Sequence, residues 1–223
     1  MVTLIIDGKQ LEAQPGQSLL EVAMSHDIHI PRLCYEPALS AYGACRLCVV
    51  EVNQNGRSWI TTSCTCQAEE NMTVKTETPE VLQTRKVMAG LALSRCPSVP
   101  SIQRIAAAQG VHEPPFVTQK PDETCVLCGL CVRACQEIAG HGILGFVERG
   151  TERRVTTAFN QKHDVCADCN QCIPYCPTGA ITSLPGLEIG QELTQQSRQW
   201  MRARQIVQYA ALTFFFVLIL LTN

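Results

Sequence analysis

The chain has 223 residues, a formal net charge of −2 and only 5% aromatic residues. That length allows one or two domains, and the near-neutral, aromatic-poor balance excludes a nucleic-acid-binding surface. Fourteen cysteines, about three times the average usage, fall in tight groups, which excludes an ordinary disulfide scaffold.

Residues 1–78 show strand signals at "VTLIID", "CVVEV", "RSWITTS" and "MTVKT", with a hairpin turn at Asn55-Gly56. Between the first two strands, "SLLEVAMSHDI" opens with Ser18 three residues before Glu21, a capping box, and stops before Pro31. The mixture predicts a small sheet crossed by one helix. The start of the chain has no long apolar segment of the secretory kind, so a reducing compartment is expected, where grouped thiols are metal ligands rather than disulfides.

Residues 79–120 predict two helices, "PEVLQTRKVMAGLALS" and "SIQRIAAAQG", followed by the linker "HEPPFVTQKP". Residues 121–186 hold an internal repeat: "CVLCGLCVRAC" from Cys125 recurs as "CADCNQCIPYC" from Cys166. Each half has the spacing C-x2-C-x2-C-x3-C, that of bacterial ferredoxins, in which the fourth cysteine of one half ligates the cluster of the other. The spacing therefore assigns Cys125, Cys128, Cys131 and Cys176 to one 4Fe-4S cluster, and Cys166, Cys169, Cys172 and Cys135 to a second. Gln136 replaces the proline usual after the fourth cysteine, without removing a ligand. Structural zinc is the alternative, making the chain an interaction module, but zinc sites favour two separated C-x2-C pairs.

The N-terminal thiols are Cys34, Cys45, Cys48 and Cys64, separated by ten, two and fifteen residues. A distant thiol, a close pair and a later fourth suit a plant-type 2Fe-2S cluster, although the intervals differ from those of plant ferredoxins. Cys66 competes with Cys64 for the last place.

"RLCYEPALSAYGACRLCVVEV" with "SCTCQAEENMTVKT" resembles the N-terminal 2Fe-2S domain shared by the large iron-sulfur subunit of respiratory complex I, iron-only hydrogenases and the diaphorase subunit of bidirectional NiFe hydrogenases. "CVLCGLCVRACQEIAGHGILGFVERG" is similar to the diaphorase subunit's dicluster region. The resemblance implies an α+β chain: a β-grasp ferredoxin-like domain (1–78), a helical linker (79–120), a dicluster 4Fe-4S ferredoxin domain (121–186) and a C-terminal helix (187–223). It also selects Cys64, which stands eight residues before Met72, and leaves Cys66 a spare thiol.

In the family a further 4Fe-4S cluster is held by H-x3-C-x2-C-x5-C. Here Cys96 alone remains of that set, with Ala92, Val99 and Ile105 at the other positions. The resemblance thus implies a retained scaffold without its cluster. Gly140-x-Gly142-x-x-Gly145 has the letters of a dinucleotide fingerprint, but no strand feeds it, and turns beside a cluster are the expected role. The five histidines, His26, His29, His112, His141 and His163, have no metal spacing.

No nucleophile-base pair or nucleotide loop is present, so the expected function is an electron relay with no catalytic residue on this chain. The resemblance implies a NiFe hydrogenase, a flavoprotein NADH dehydrogenase or a formate dehydrogenase as partner. An iron-only hydrogenase would need a long catalytic domain after residue 186. Residues 205–223, "QIVQYAALTFFFVLILLTN", carry no charged side chain and would span about 28 Å as a helix. With Arg198, Trp200, Arg202 and Arg204 before them, they predict an anchor in the lipid bilayer, placing the chain on the cytoplasmic face of the cell membrane beside a quinone-reactive membrane subunit.

Overall fold

The computed structural model describes residues 1–160 and 163–182. Strands β1 (Val2–Ile6) and β2 (Lys9–Ala13) form a hairpin in which Leu4 faces Leu11. The Asp7-Gly8 turn joins them, and the Asp7 carboxylate accepts from the Thr76 backbone N–H at 2.8 Å and the Thr76 hydroxyl at 2.6 Å. Helix α1 (Leu19–Ser25) begins at the expected capping box: Ser18 N–H donates to Glu21 Oε2 at 2.7 Å, and Glu21 N–H donates to Ser18 Oγ at 3.2 Å.

Strands β3 (Val49–Gln54) and β4 (Arg57–Thr62) flank the expected turn at Asn55-Gly56. The short β5 (Thr73–Lys75) runs antiparallel to β3 and parallel to β1, giving the sheet order β2-β1-β5-β3-β4. This is the expected β-grasp arrangement. Alternate strand residues, Leu4, Ile6, Val50, Val52 and Val74, meet Leu19, Leu20 and Val22 of α1 in the first core, each burial contributing about 1.5–3 kcal/mol. Strand β2 was not among the expected strands.

Helix α2 (Pro79–Arg95) starts at the N-cap Thr78 and buries Val81, Arg85, Ala89 and Leu93, a row at i, i+4 spacing. Helix α3 (Pro100–Ala108) buries Ile102 and Ala106. The two helices pack with Leu33, Leu47, Cys96, Val99 and Val111 into a second core, against which Cys45 and Cys128 also rest.

Helix α4 (Leu130–Arg133) continues into a π-helical turn, Ala134–Ile138. Gly129 caps it at φ 74°, and a Cβ there would lie 3.2 Å from both Phe146 Cζ and Tyr42 Cε1, so this position requires glycine. Strands β6 (Leu144–Val147) and β7 (Arg154–Thr157) form a hairpin between the two halves of the cysteine repeat, and α5 (Asp164–Cys169) follows. Phe146 of β6 stacks on Tyr42 of the first domain with ring centroids 6.4 Å apart.

One expectation is corrected. Among the described residues no helix is long and apolar enough to cross a membrane. The longest, α2, has 17 residues and carries Glu80, Arg85, Lys86 and Arg95, whereas a span needs about 20 predominantly apolar residues. The tail 205–223, on which the bilayer anchor and the cytoplasmic-face membrane location rested, lies outside the described residues. That location is withdrawn.

Candidate iron-sulfur centres

The first group of thiols lies in the segments between α1 and β3 and just after β4. Cys34 lies in the loop after α1, Cys45 and Cys48 lie in the loop entering β3, and Cys64 follows β4. Backbone bonds fix that last position: Ser63 N–H and Ser63 Oγ both donate to the Cys48 carbonyl, at 2.9 and 2.7 Å. Leu20 N–H in turn donates to the Ser63 carbonyl at 3.0 Å, tying the turn to α1.

The four thiols form two pairs. Cys45 N–H donates to Cys34 Sγ at 3.4 Å, and Cys48 Sγ lies 3.4 Å from Cys64 Sγ. A hydrogen bond from Cys34 holds the Cys45 thiol down to about 6, while that bond and burial push Cys34 up. The Cys64 contact likewise holds Cys48 down to about 7, while that contact and burial push Cys64 up. Within each pair, one thiol is therefore held down and its neighbour pushed up, so the two ionise as a pair rather than independently. Cys66 stands apart. Its Sγ donates weakly to the Gln67 carbonyl at 3.7 Å, it packs on the first core, and burial pushes its thiol up.

In the repeat region, the structure brings together thiols from opposite halves. Cys176 lies within electrostatic reach of Cys125, Cys128 and Cys131. Cys135 lies within reach of Cys166 and Cys172. Burial pushes Cys128 up to about 11 and Cys131 up to about 12. Cys176 is the opposite case: burial opposes ionisation, but hydrogen bonds from the Thr178 hydroxyl and the backbone N–H groups of Ile181, Thr178 and Ala180 hold its thiol below the usual range.

Cys135 is buried in the π-helical turn. Its Sγ accepts from Ile143 N–H at 3.3 Å, and its carbonyl accepts from His141 and Gly142 at 2.9 and 3.2 Å. Gly140 and Gly142 have φ of 71° and 61°, so the "GHGILG" segment is the turn that wraps this cysteine. The π-helical turn, not a strand, leads into it, and β6 begins only at Leu144.

The degenerate middle site is filled with side chains. Cys96 is fully buried, as is Ile102, with Val99, Ala92 and Ile105 packed around them. Burial pushes the Cys96 thiol up to about 12, leaving a neutral, packed group. Beside this core, a cavity of about 170 Å³ has Cys45, Cys128, Leu33, Met88, Ala92 and Arg95 in its lining. Arg95 anchors the second ligand loop to α2, its Nε donating to the Cys125 carbonyl at 2.8 Å.

The donor set suits iron-sulfur clusters. All twelve expected ligands are thiols, and N–H or O–H groups are aimed at the sulfurs of Cys34, Cys135 and Cys176. In the first group the thiols are neighbours two by two, Cys34 with Cys45 and Cys48 with Cys64.

Comparison with known proteins agrees. Residues 1–79 match the family described as 2Fe-2S iron-sulfur cluster binding domain. Residues 114–182 match NADH-quinone oxidoreductase subunit 3, ferredoxin-like domain. The NADP-reducing hydrogenase subunit HndD of Solidesulfovibrio fructosivorans is 34% identical over 212 residues, covering 81% of this chain and 36% of that protein. The NADH-ubiquinone oxidoreductase 75 kDa subunit of Reclinomonas americana is 31% identical over 208 residues, covering 83% and 30%. The chain therefore spans only 36% and 30% of the length of these two curated relatives. Among solved structures, an NAD+-reducing NiFe hydrogenase in the H2-reduced state has a similar chain, with a TM-score of 0.70 and 26% identity over 85% of this chain and 90% of that one. The chain is thus an iron-sulfur protein with one 2Fe-2S and two 4Fe-4S clusters, resembling the diaphorase subunit of bidirectional NiFe hydrogenases and the N-terminal part of the complex I large iron-sulfur subunit.

Proposed function

We propose that the chain is an electron-relay subunit of a larger oxidoreductase. Cys34, Cys45, Cys48 and Cys64 hold the 2Fe-2S cluster. Cys125, Cys128, Cys131 and Cys176 hold one 4Fe-4S cluster, and Cys166, Cys169, Cys172 and Cys135 hold the other. Each cluster supplies one-electron uptake and release without a proton or a bond change. Cys45 and Cys128 line the same cavity, which supports a relay in which the first two centres would exchange electrons without a middle cluster. That shared cavity is the observation on which the reading rests.

The domain limits of 1–78, 79–120, 121–186 and 187–223 remain part of this proposal. The partner at one end is a hydrogenase or an NAD(P)H-oxidising flavoprotein. Its support is that the similar proteins are named as an NADP-reducing hydrogenase subunit and an NAD+-reducing NiFe hydrogenase. A second reading takes quinone-linked electron transfer as the other end, and the name NADH-ubiquinone oxidoreductase favours it. None of the relatives above is a formate dehydrogenase subunit by name.

Metal analysis of the purified chain tests the relay. About ten irons and ten sulfides per chain are expected. Two zinc atoms per chain and no sulfide would overturn the reading in favour of a zinc interaction module. Co-purification of the native complex then separates the two partner readings, because a hydrogenase subunit supports the first and a quinone-reducing assembly without one supports the second.

A further inference from the structure

Among the described residues only two side chains with a permanent charge are buried, and both are arginines: Arg85 at 3% exposure and Arg133 at 8%. Neither has a carboxylate within 4 Å among the described residues, and the Nε of each is buried without a hydrogen-bond partner. An uncompensated buried charge costs several kcal/mol. Something else must offset both.

Their remaining contacts point to the same place. Arg85 reaches from α2 so that Nη2 donates to the Val49 carbonyl at 2.7 Å, one residue from Cys48. Arg133, on α4 between Cys131 and Cys135, reaches into the first domain. Its Nη2 donates to the Cys34 carbonyl at 2.6 Å, its Nη1 donates to the Ser40 carbonyl, and its guanidinium lies 5.4 Å from the centre of the Tyr42 ring. Arg133 therefore spends two forked donors on the first ligand loop, and Arg85 one donor on the residue that follows Cys48. Glu77 and Asp7 are felt by Arg85, and Glu137 feels Arg133, but Asp7 is engaged with Thr76 and Glu137 is bonded to Ser40 at the surface.

We infer that Arg85 and Arg133 are the counter-charges of the 2Fe-2S centre, positioned to hold its reduction potential up, with Arg133 also serving the adjacent 4Fe-4S centre. Two ferric ions, two sulfides and four thiolates sum to about two negative charges, and reduction adds one more with no proton or bond change. A fixed positive charge in a desolvated site stabilises the reduced form more than the oxidised one. The inference rests on the relay reading and deepens it, by assigning the residues that decide where an electron settles.

The test uses the full chain after its iron content has been shown to be about ten. Reduction is titrated while the resonance signals of the 2Fe-2S and 4Fe-4S centres are followed separately. Arg85→Gln is expected to weaken reduction of the 2Fe-2S centre about tenfold, a fall of about 59 mV for one electron, and to leave both 4Fe-4S centres within about twofold. Arg133→Gln is expected to lower the 2Fe-2S centre and the 4Fe-4S centre of Cys131 together. Arg85→Lys and Arg133→Lys keep the charge but lose the fork, so their midpoints stay within about twofold of the parent. Unmoved midpoints in the Gln variants, or Lys variants displaced as far as Gln variants, overturn the inference. Should a Gln variant lose iron, the Lys variant at that position decides by the same criterion. A parent chain that binds zinc instead defeats the relay reading itself, whereas an iron-loaded parent with charge-insensitive midpoints defeats only this inference.

Discussion

Replacing Cys96 with alanine separates a packed thiol from a ligand. The side chain is fully buried among Leu93, Val99 and Ile102, and its thiol is neutral because burial pushes it up to about 12. Removing the sulfur vacates about 25 Å³, which at about 24 cal/mol per Å³ costs about 0.6 kcal/mol. The lost transfer energy of one methylene-sized group adds about 0.8 kcal/mol. A total near 1.4 kcal/mol corresponds to a fall of about 3–6 °C in Tm for a protein of this size. Loaded clusters make unfolding irreversible, so parent and variant are compared at one scan rate. Iron is expected to stay at about ten per chain. A loss of about four irons in Cys96→Ala would show that the middle cluster survives with outside ligands, and the packed-core account of residues 92–106 would fall.

Three further perturbations probe the same architecture. Cys135→Ser is expected to bleach the 4Fe-4S signal assigned to Cys166, Cys169 and Cys172 and to spare the one assigned to Cys125, Cys128 and Cys131; the reverse pattern would refute crossed ligation. Cys66→Ser is expected to keep the 2Fe-2S spectrum while Cys64→Ser abolishes or strongly alters it, read by visible absorption and resonance, and equal damage from both would refute the choice of Cys64. Gly90→Ala places a Cβ 2.6 Å from Pro115 Cγ, a contact that forces the 111–120 linker off α2. It is expected to lower Tm by about 2–12 °C, matching an overpacking cost of about 1–3 kcal/mol, with iron content unchanged.

What could be read from the sequence was local chemistry with a fixed period or spacing. The capping box at Ser18 and Glu21, the Asn55-Gly56 turn and both linker helices were visible because short-range backbone bonds create them. Strand β2 was missed although Asp7-Gly8 is itself a hairpin signal; its "KQLEA" run is helix-prone, and pairing with β1 overrides that preference. The π-helical turn around Cys135 and the β6–β7 hairpin left no periodic trace, since both are imposed by packing around the repeat. Thiol groups were legible because a cluster needs sulfur at set intervals. Arg85 and Arg133 were not, because a lone arginine on a helix is ordinarily a solvated side chain, and only the fold shows that these two point inward.

The pairing of β1 with β5 has a consequence for synthesis on the ribosome. The β1–β2 and β3–β4 hairpins can each close as soon as their own residues emerge, but neither is bonded directly to the other in the sheet. They are joined only when Thr73–Lys75 slides between them, parallel to one and antiparallel to the other. At about 5–20 residues per second, several seconds pass between the first hairpin and the strand that joins it to the second. All four thiols of the first centre have been made by then, so the nascent chain presents its sulfur ligands before the three-residue strand that seals the sheet beside them. The ligand set of that centre is thus complete in the chain before the sheet beside it can close.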